Sequence, residues 1–252
     1  MKGAVRLLGM LAACVLALQL FFLLRIALMR FVAPESTSFQ RSEIWRLAVD
    51  KHALPWLQES VSRDRISDNL RRAVIASEDA GFVEHHGVEW GAVESAWSRN
   101  EKAEARAQAR QNRIASSGRR PNGRPRVVVA KVVGGSTISQ QLAKNLFLSG
   151  ERTVPRKGQE LVITLMLELI LDKDTLLTDY LNNVEWGEGV FGAQAAAQHY
   201  FRTQAAFLGP AQAARLAVML PAPKRFEKMP SSPYVMNRSA TIVARMGGVD
   251  LP

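Results

Sequence analysis

The sequence predicts a mainly α-helical domain carried behind one N-terminal membrane helix. Three observations lead there: an unbroken apolar run at the N-terminus, apolar residues recurring every three or four positions behind capping residues, and a scarcity of strand signals. Residues 7–24 are apolar except for Gln19. Eighteen residues at ~1.5 Å each span roughly 27 Å, close to the hydrocarbon thickness of a bilayer. Lys2 and Arg6 flank one end, Arg25 and Arg30 the other. A cleaved signal peptide is the competing reading. The length of the run, and the lack of a small-x-small cleavage site before Arg25, favour an uncleaved anchor.

The remaining length suffices for one domain with a real core. A hydrophobic share of 47% and a charged share of 22% are ordinary for a globular chain and argue against disorder. Cys14 is the single cysteine, so neither an internal disulfide nor a cysteine zinc site can be built. The formal charge of +10 is concentrated: residues 99–126 hold nine Lys/Arg against Glu101 and Glu104, a net +7. The stretch lacks interleaved aromatics and any nucleic-acid motif, so anionic lipid headgroups are the expected counterpart rather than nucleic acid. It begins as a helix and passes into Ser-Ser-Gly and Pro-Asn-Gly-Arg-Pro, which reads as a mobile loop.

Along the chain, residues 34–40 read as a polar connection. Ser67 or Asp68 can cap a helix in which Ile66, Leu70 and Val74 recur at four-residue spacing. The next member of that series is Glu78. Either the helix continues and carries a carboxylate on its apolar stripe, raising its pKa, or it ends near Ser77 and Glu78 turns to water. Residues 127–133 suggest a short strand. Thr137 and Gln140 form a capping-box pattern ahead of the apolar face Ile138, Leu142 and Leu146, with Lys144 on another face. Gly134 and Gly135 precede that start and would let backbone N–H groups approach an anion.

A further helix opens with Thr153 as cap and Pro155 in the first turn, yet Arg156 and Lys157 sit there too, with Arg152 just before. Cations in a first turn oppose the helix dipole, which suggests either a solvated basic surface or a held anion. Up to residue 171 this helix is apolar nearly all round and is expected to be buried. Glu160, Thr164 and Glu168 interrupt it on one stripe, so these carboxylates need partners or a task. Residues 179–183 end another helix, Gly187, Gly189 and Gly192 mark turns, and 193–200 and 211–220 are helical, the last stopping at Pro221-Ala222-Pro223.

Together, residues 66–246 resemble the transglycosylase domain of bacterial peptidoglycan synthases, glycosyltransferase family 51. Glu78-Asp79-Ala80-Gly81-Phe82-Val83-Glu84-His85-His86-Gly87 is similar to the family's E-D-x-x-F-x-x-H-x-G. Residues 134–148, GGSTISQQLAKNLFL, carry the second motif; Arg156-Lys157-Gly158-Gln159-Glu160 matches R-K-x-x-E; Tyr180-Leu181-Asn182 with Gly187 and the following GVFG is the fourth, and 213–223 the loosest. Three features depart from the pattern: the long basic stretch, Gln212 where the family has glutamate, and Arg215 within an apolar run.

The resemblance implies a lysozyme-like, bilobed helical fold, with an anchor at 1–33, a transglycosylase domain at 34–252 and a mobile basic insertion at 98–127. It implies an inverting polymerisation of lipid II into β-1,4 glycan strands with release of undecaprenyl pyrophosphate. No serine has a lysine three residues later, so no transpeptidase activity is expected. Glu78 is the implied base, and Glu160 the second catalytic carboxylate, which orients cations or helps bind a divalent metal, Mg or Mn. Substrate would be bound by Asp79, Phe82, Ser136, Thr137, Gln140, Gln141, Lys144, Asn145, Arg152, Arg156 and Lys157. His85 and His86 beside Glu84 and Glu89 match no zinc spacing, and His85 is expected to hydrogen-bond within its own motif. No organic cofactor is implied. Expected partners are lipid II, the lipid-linked strand, membrane lipids and division or elongation proteins, at the inner membrane with the domain on the periplasmic side. A lysozyme-like hydrolase and a non-catalytic division scaffold are the rival readings; the basic cluster argues against the first, since hydrolysis needs no pyrophosphate site, and the two carboxylates against the second.

Overall fold

The computed structural model describes residues 2–116, 135–148, 150–151 and 153–252. The expected strand at 127–133, Gly134, Arg152 and the arginines from 119 to 126 lie outside the described residues. The chain divides into two compact units, residues 1–87 with 137–252, and residues 88–136.

In the larger unit, α1 (Lys2–Met29) is long and apolar enough to cross a membrane, compatible with a single-pass inner-membrane anchor. Its last turns are not free: Phe22, Ile26 and Met29 are buried and join the core, and Phe22 packs edge-on against Phe147 at 5.5 Å. The polar connection expected at 34–40 contains a helix start. Thr37 and Gln40 form a reciprocal capping box and open α2 (Ser38–Arg46). The T-x-x-Q signature is the same as at Thr137, and it was legible in the sequence.

Ser67 caps α3 (Asp68–Glu78), as expected, and the stripe Ile66, Leu70 and Val74 is buried. The Thr137–Gln140 capping box opens α5 (Ile138–Phe147), and Thr153 opens α6 (Val154–Ile170) with Pro155 in its first turn. Asp172 accepts from Thr175 N–H at 2.7 Å and starts α7 (Lys173–Asn183). Three short strands follow the order β1 (Leu57–Gln58), β3 (Val190–Phe191), β2 (Glu185–Gly187), with β1 parallel and β2 antiparallel to β3. Gly189 makes the turn between β2 and β3 at φ +75°; a Cβ there would stand 1.8 Å from the Pro55 carbonyl oxygen, so no side chain fits. Then come α8 (Ala193–Phe201), α9 (Pro210–Met219), α10 (Pro223–Phe226) and α11 (Pro233–Met246). Helices α3, α9 and α11 pack on one another, and α5 packs on α2, α6 and α7.

Two departures from the family pattern acquire roles here. Gln212 Oε1 accepts from Gly209 N–H at 3.0 Å and so caps α9, which an amide does as well as a carboxylate. Arg215 turns out of its apolar run, donating to the Pro230 carbonyl and Ser231 Oγ with its guanidinium over the Phe201 ring.

One expectation needs correction. Helix α6 is not buried all round: Glu160, Ile163, Thr164 and Leu167 are buried, while Val162, Leu165 and Leu169 are exposed. The helix runs beside α1, and Gln159 exchanges two hydrogen bonds with Gln19, at 2.9 and 3.0 Å. Apolar residues around a helix call for an apolar environment, and three of them here face away from the protein.

The smaller unit is built on α4 (Trp90–Ser116), so the basic stretch is helical through Ser116. Trp97 Nε1 donates to Glu101 one turn on, at 2.9 Å, and Gly135 sits where a Cβ would crowd Ala92 and Ala96.

Helix α7 buries Asp179, whose Oδ2 finds no hydrogen-bond partner among the described residues. Burial, with Asp172 nearby, pushes its pKa up to about 7 from 3.8. The folded state therefore holds a proton that the unfolded chain releases, and stability falls as pH rises from about 4 to about 7. Asp179→Asn removes that loss. Its unfolding temperature should match the natural chain near pH 4 and exceed it by several degrees at pH 8, measured by differential scanning fluorimetry. A difference independent of pH would contradict this account.

Candidate active site

The first and second motifs meet where α3 ends and α5 begins. Glu78 and Asp79 are consecutive, and the helix terminus sends them in different directions. Asp79 is buried, with Oδ2 accepting from Ile138 N–H at 2.9 Å, the first turn of α5, and Oδ1 bonded to His85 Nε2 at 2.8 Å. His85 Nδ1 accepts from Gly87 N–H at 3.1 Å, so Nε2 carries the proton that it donates to Asp79. This is the internal bond expected of His85. Gly87 closes the motif at φ +90°, where a Cβ would sit 2.8 Å from Thr164 Cγ2. Its carbonyl accepts from Thr137 Oγ1 at 2.6 Å, joining the two motifs a second time.

Glu78 is half-buried. Its Oε2 accepts from Gln141 Nε2 at 2.9 Å, and Gln141 Oε1 accepts from the Tyr180 hydroxyl at 3.0 Å. The tyrosine fixes which end of the amide faces the carboxylate. Burial raises the Glu78 pKa above 4.5, opposed by the Gln141 hydrogen bond and reinforced by Asp79. Tyr180 is wholly buried, and burial with the charges of Glu78 and Asp79 lifts its pKa well above 10, so it stays a neutral donor. Of the two alternatives left by the sequence, the helix does end at Glu78, yet the carboxylate is held at the protein rather than released to water.

At the start of α6, Glu160 is buried and paired with both cations of its motif, Arg156 at 2.8 Å through Oε2 and Lys157 through Oε1. Arg156 Nε is buried with no hydrogen-bond partner among the described residues. Further along, Glu168 accepts from Ser139 and pairs with Lys173 at 2.8 Å. Lys173 also donates to the His85 carbonyl and stands 4.6 Å over the Phe82 ring.

The sequence-predicted site residues thus separate into groups. Glu78 and Gln141 face each other; Lys144 and Asn145 continue the Gln141 face of α5, three and four positions on. Arg156, Lys157 and Glu160 form a second group on α6. Asp79, Thr137 and Gln140 are buried in the capping arrangement, and Phe82 is fully buried, so these four position the site from behind. Ser136 is exposed in the smaller unit. Tyr180 and Lys173 were not singled out for the site. Tyr180 carried a signal, the Tyr-Leu-Asn motif, whose Asn182 brackets the Val61 backbone with bonds of 3.1 and 2.9 Å. Lys173 carried none.

A helix-borne carboxylate with a raised pKa and, on another helix, a cationic start are groups that glycosyl transfer can use. The sequence profile of the Transglycosylase family matches residues 53–109 and 126–247, leaving part of the basic stretch unmatched. A biosynthetic peptidoglycan transglycosylase of Paraburkholderia xenovorans (strain LB400) is 48% identical over 237 residues, covering 94% of this chain and 88% of the relative. One from Cupriavidus pinatubonensis (strain JMP 134 / LMG 1197) is 50% identical over 261 positions, covering 98% and 90%. The chain belongs to the transglycosylase family. It is a glycosyltransferase, and membership carries the lysozyme-like helical fold expected from the motifs.

Asp79→Ala would strand the Ile138 N–H and the His85 ring in a buried place. We expect a loss of about 2–3 kcal/mol in unfolding free energy, with Asp79→Asn, which keeps one acceptor, losing less. Denaturant titration of both variants measures this; equal stability of Asp79→Ala and the natural chain would refute it.

Proposed function

We propose that this chain polymerises peptidoglycan glycan strands from lipid II, with Glu78 as the base. Glu78 takes the proton from the 4-hydroxyl of the acceptor sugar as that oxygen attacks the anomeric carbon of the donor. The bond from that carbon to the lipid pyrophosphate breaks, and the configuration inverts. The negative charge that leaves needs cations, and Lys144, Arg152, Arg156 and Lys157 are the candidates. The observation that carries the reading is the raised pKa of a Glu78 gripped, among the described residues, by the neutral Gln141 amide, since a base working near neutral pH is best tuned upward. The buried, unpartnered Nε of Arg156 supports the anion role.

Glu160 holds Arg156 and Lys157 and so positions the cations. Both of its oxygens are engaged by positive groups, a setting that does not fit a divalent metal ligand, and the described residues include no group of three or more His, Cys, Asp or Glu placed to share a metal. The cation cluster and the relatives' names favour synthesis over hydrolysis.

Lipid II is polymerised outside the cytoplasm, so we place Met1 to Arg6 inside and the domain after Arg30 on the periplasmic side, working at the membrane surface beside the exposed apolar residues of α6. Action alongside division or elongation proteins is part of this proposal.

Two outcomes test it. Glu78→Gln should lower polymerisation of lipid II by ~10²–10⁴-fold with circular dichroism unchanged. Because the base must be ionised, the acid limb of the rate profile lies above the ordinary carboxylate range. Gln141→Leu, which removes the bond that lowers the Glu78 pKa, should move that limb to higher pH. Near-normal turnover by folded Glu78→Gln sinks the assignment. For topology, a periplasm-dependent reporter fused after Pro252 should be active, and a cytoplasm-dependent one silent; the reverse pattern contradicts the placement.

A further inference from the structure

Where α1 leaves its apolar run, a cleft of about 300 Å³ opens between its last turns, the start of α2 and the end of α5. Its lining mixes two chemistries. Phe21, Phe22, Met29 and Phe147 are apolar, Arg25, Ser36, Ser38 and Arg41 are polar, and no carboxylate lines it. The volume lies at the lower end of the range that holds small ligands, ~300–1,000 Å³.

The depth of the cleft follows from the anchor. With residues 7–24 in the hydrocarbon, Phe21 and Phe22 occupy its last turn and Arg25 is the first charge at headgroup level. The cleft therefore straddles the boundary between acyl chains and headgroups. Its cations are unneutralised. Arg25 has no ion pair or hydrogen bond with the described residues, and Arg41 is held by neutral partners only, Ser36 Oγ at 3.0 Å, the Ser36 carbonyl at 3.4 Å and Ser38 Oγ at 3.1 Å. Those bonds hold the Arg41 side chain in place without cancelling its charge. A second cleft of about 410 Å³ shares Arg25, Met29, Pro34 and Ser36 with the first and, unlike it, is also lined by a carboxylate, Glu35.

We propose that this cleft binds one anionic glycerophospholipid of the leaflet against which the domain rests, its phosphate on Arg25 and Arg41 and an acyl chain on Phe21, Phe22 and Phe147. Charge selects the occupant: a zwitterionic choline headgroup brings a cation that nothing acidic in this cleft would receive. None of its lining residues belongs to the Glu78–Gln141 or Arg156–Glu160 groups, so the occupant is a resident lipid rather than the sugar-bearing substrate. Such a lipid joins α1 to α2 and α5 and fixes the height at which the domain rides on the membrane.

The test reads lipid retention, not polymerisation, so it fails or succeeds independently of the proposed activity. The full chain is reconstituted in nanodiscs of equimolar phosphatidylglycerol and phosphatidylcholine, released, and weighed by native mass spectrometry. One retained phosphatidylglycerol is expected, enriched about tenfold over phosphatidylcholine. Arg25→Gln with Arg41→Gln should bring the ratio near one, while Lys2→Gln with Arg6→Gln, at the other end of α1, should leave it unchanged. Equal retention of the two lipids by the natural chain overturns the proposal whether or not the variants fold. So does a preference that survives the Arg25/Arg41 exchange, or displacement of phosphatidylglycerol by an equimolar polyprenyl phosphate.

Discussion

The bonds of Asp79 to the first turn of α5 and to His85 are the constraint from which the site follows. A carboxylate buried at a helix end is costly unless every lone pair finds a donor, and here the donors are an otherwise orphaned N–H of α5 and an imidazole whose tautomer Gly87 sets. Because Asp79 is committed inward, its neighbour Glu78 is delivered to Gln141 at the edge of the same joint. One residue of the Glu-Asp pair bears the architecture, and the other meets the Gln141 amide at its edge. The same logic explains why glycine closes the motif: Thr164 approaches too closely for any side chain at Gly87.

Behind this joint lies a second layer of charge. Lys173 gathers Glu168, the His85 carbonyl and the Phe82 ring, tying α7 to the first motif through α6. Glu43 does similar work elsewhere, pairing with Arg46 and Lys224, while Lys224 also reaches Glu185 at 3.4 Å. Such pairs, with the carboxylate buried, add little net stability, since desolvation offsets most of their attraction. Asp179 shows the contrast: without a partner for Oδ2, its environment shifts it toward the neutral form instead.

The N-terminal helix belongs to the fold as well as being apolar enough to anchor it. The lone polar residue of its apolar run, Gln19, meets the amide of Gln159 inside the Arg-Lys-x-x-Glu motif, and in an apolar setting two amides that satisfy each other specify a rotational register. Phe22, Ile26 and Met29 then extend the protein core into the anchor. The helix that carries Arg156 and Lys157 is thus held directly by the helix long and apolar enough to cross a membrane.

Local chemistry was readable from the sequence because it acts over a few residues. Ser67, Thr137 and Thr153 cap the helices they were expected to cap, the Ile66–Leu70–Val74 stripe is buried, and four motifs in order identified the family. The capping box at Thr37 was equally local, and a helix there was overlooked. What spacing could not supply was the partner of each polar group. That Asp79 points inward to Ile138 and Glu78 to Gln141, that Tyr180 orients that amide, and that Arg215 leaves its apolar run for Pro230 and Ser231 depend on residues 15 to 63 positions apart. Periodicity likewise identified α6 as apolar all round but not what surrounds it, because a hydrophobic pattern records the absence of water and is the same whether protein or lipid excludes it.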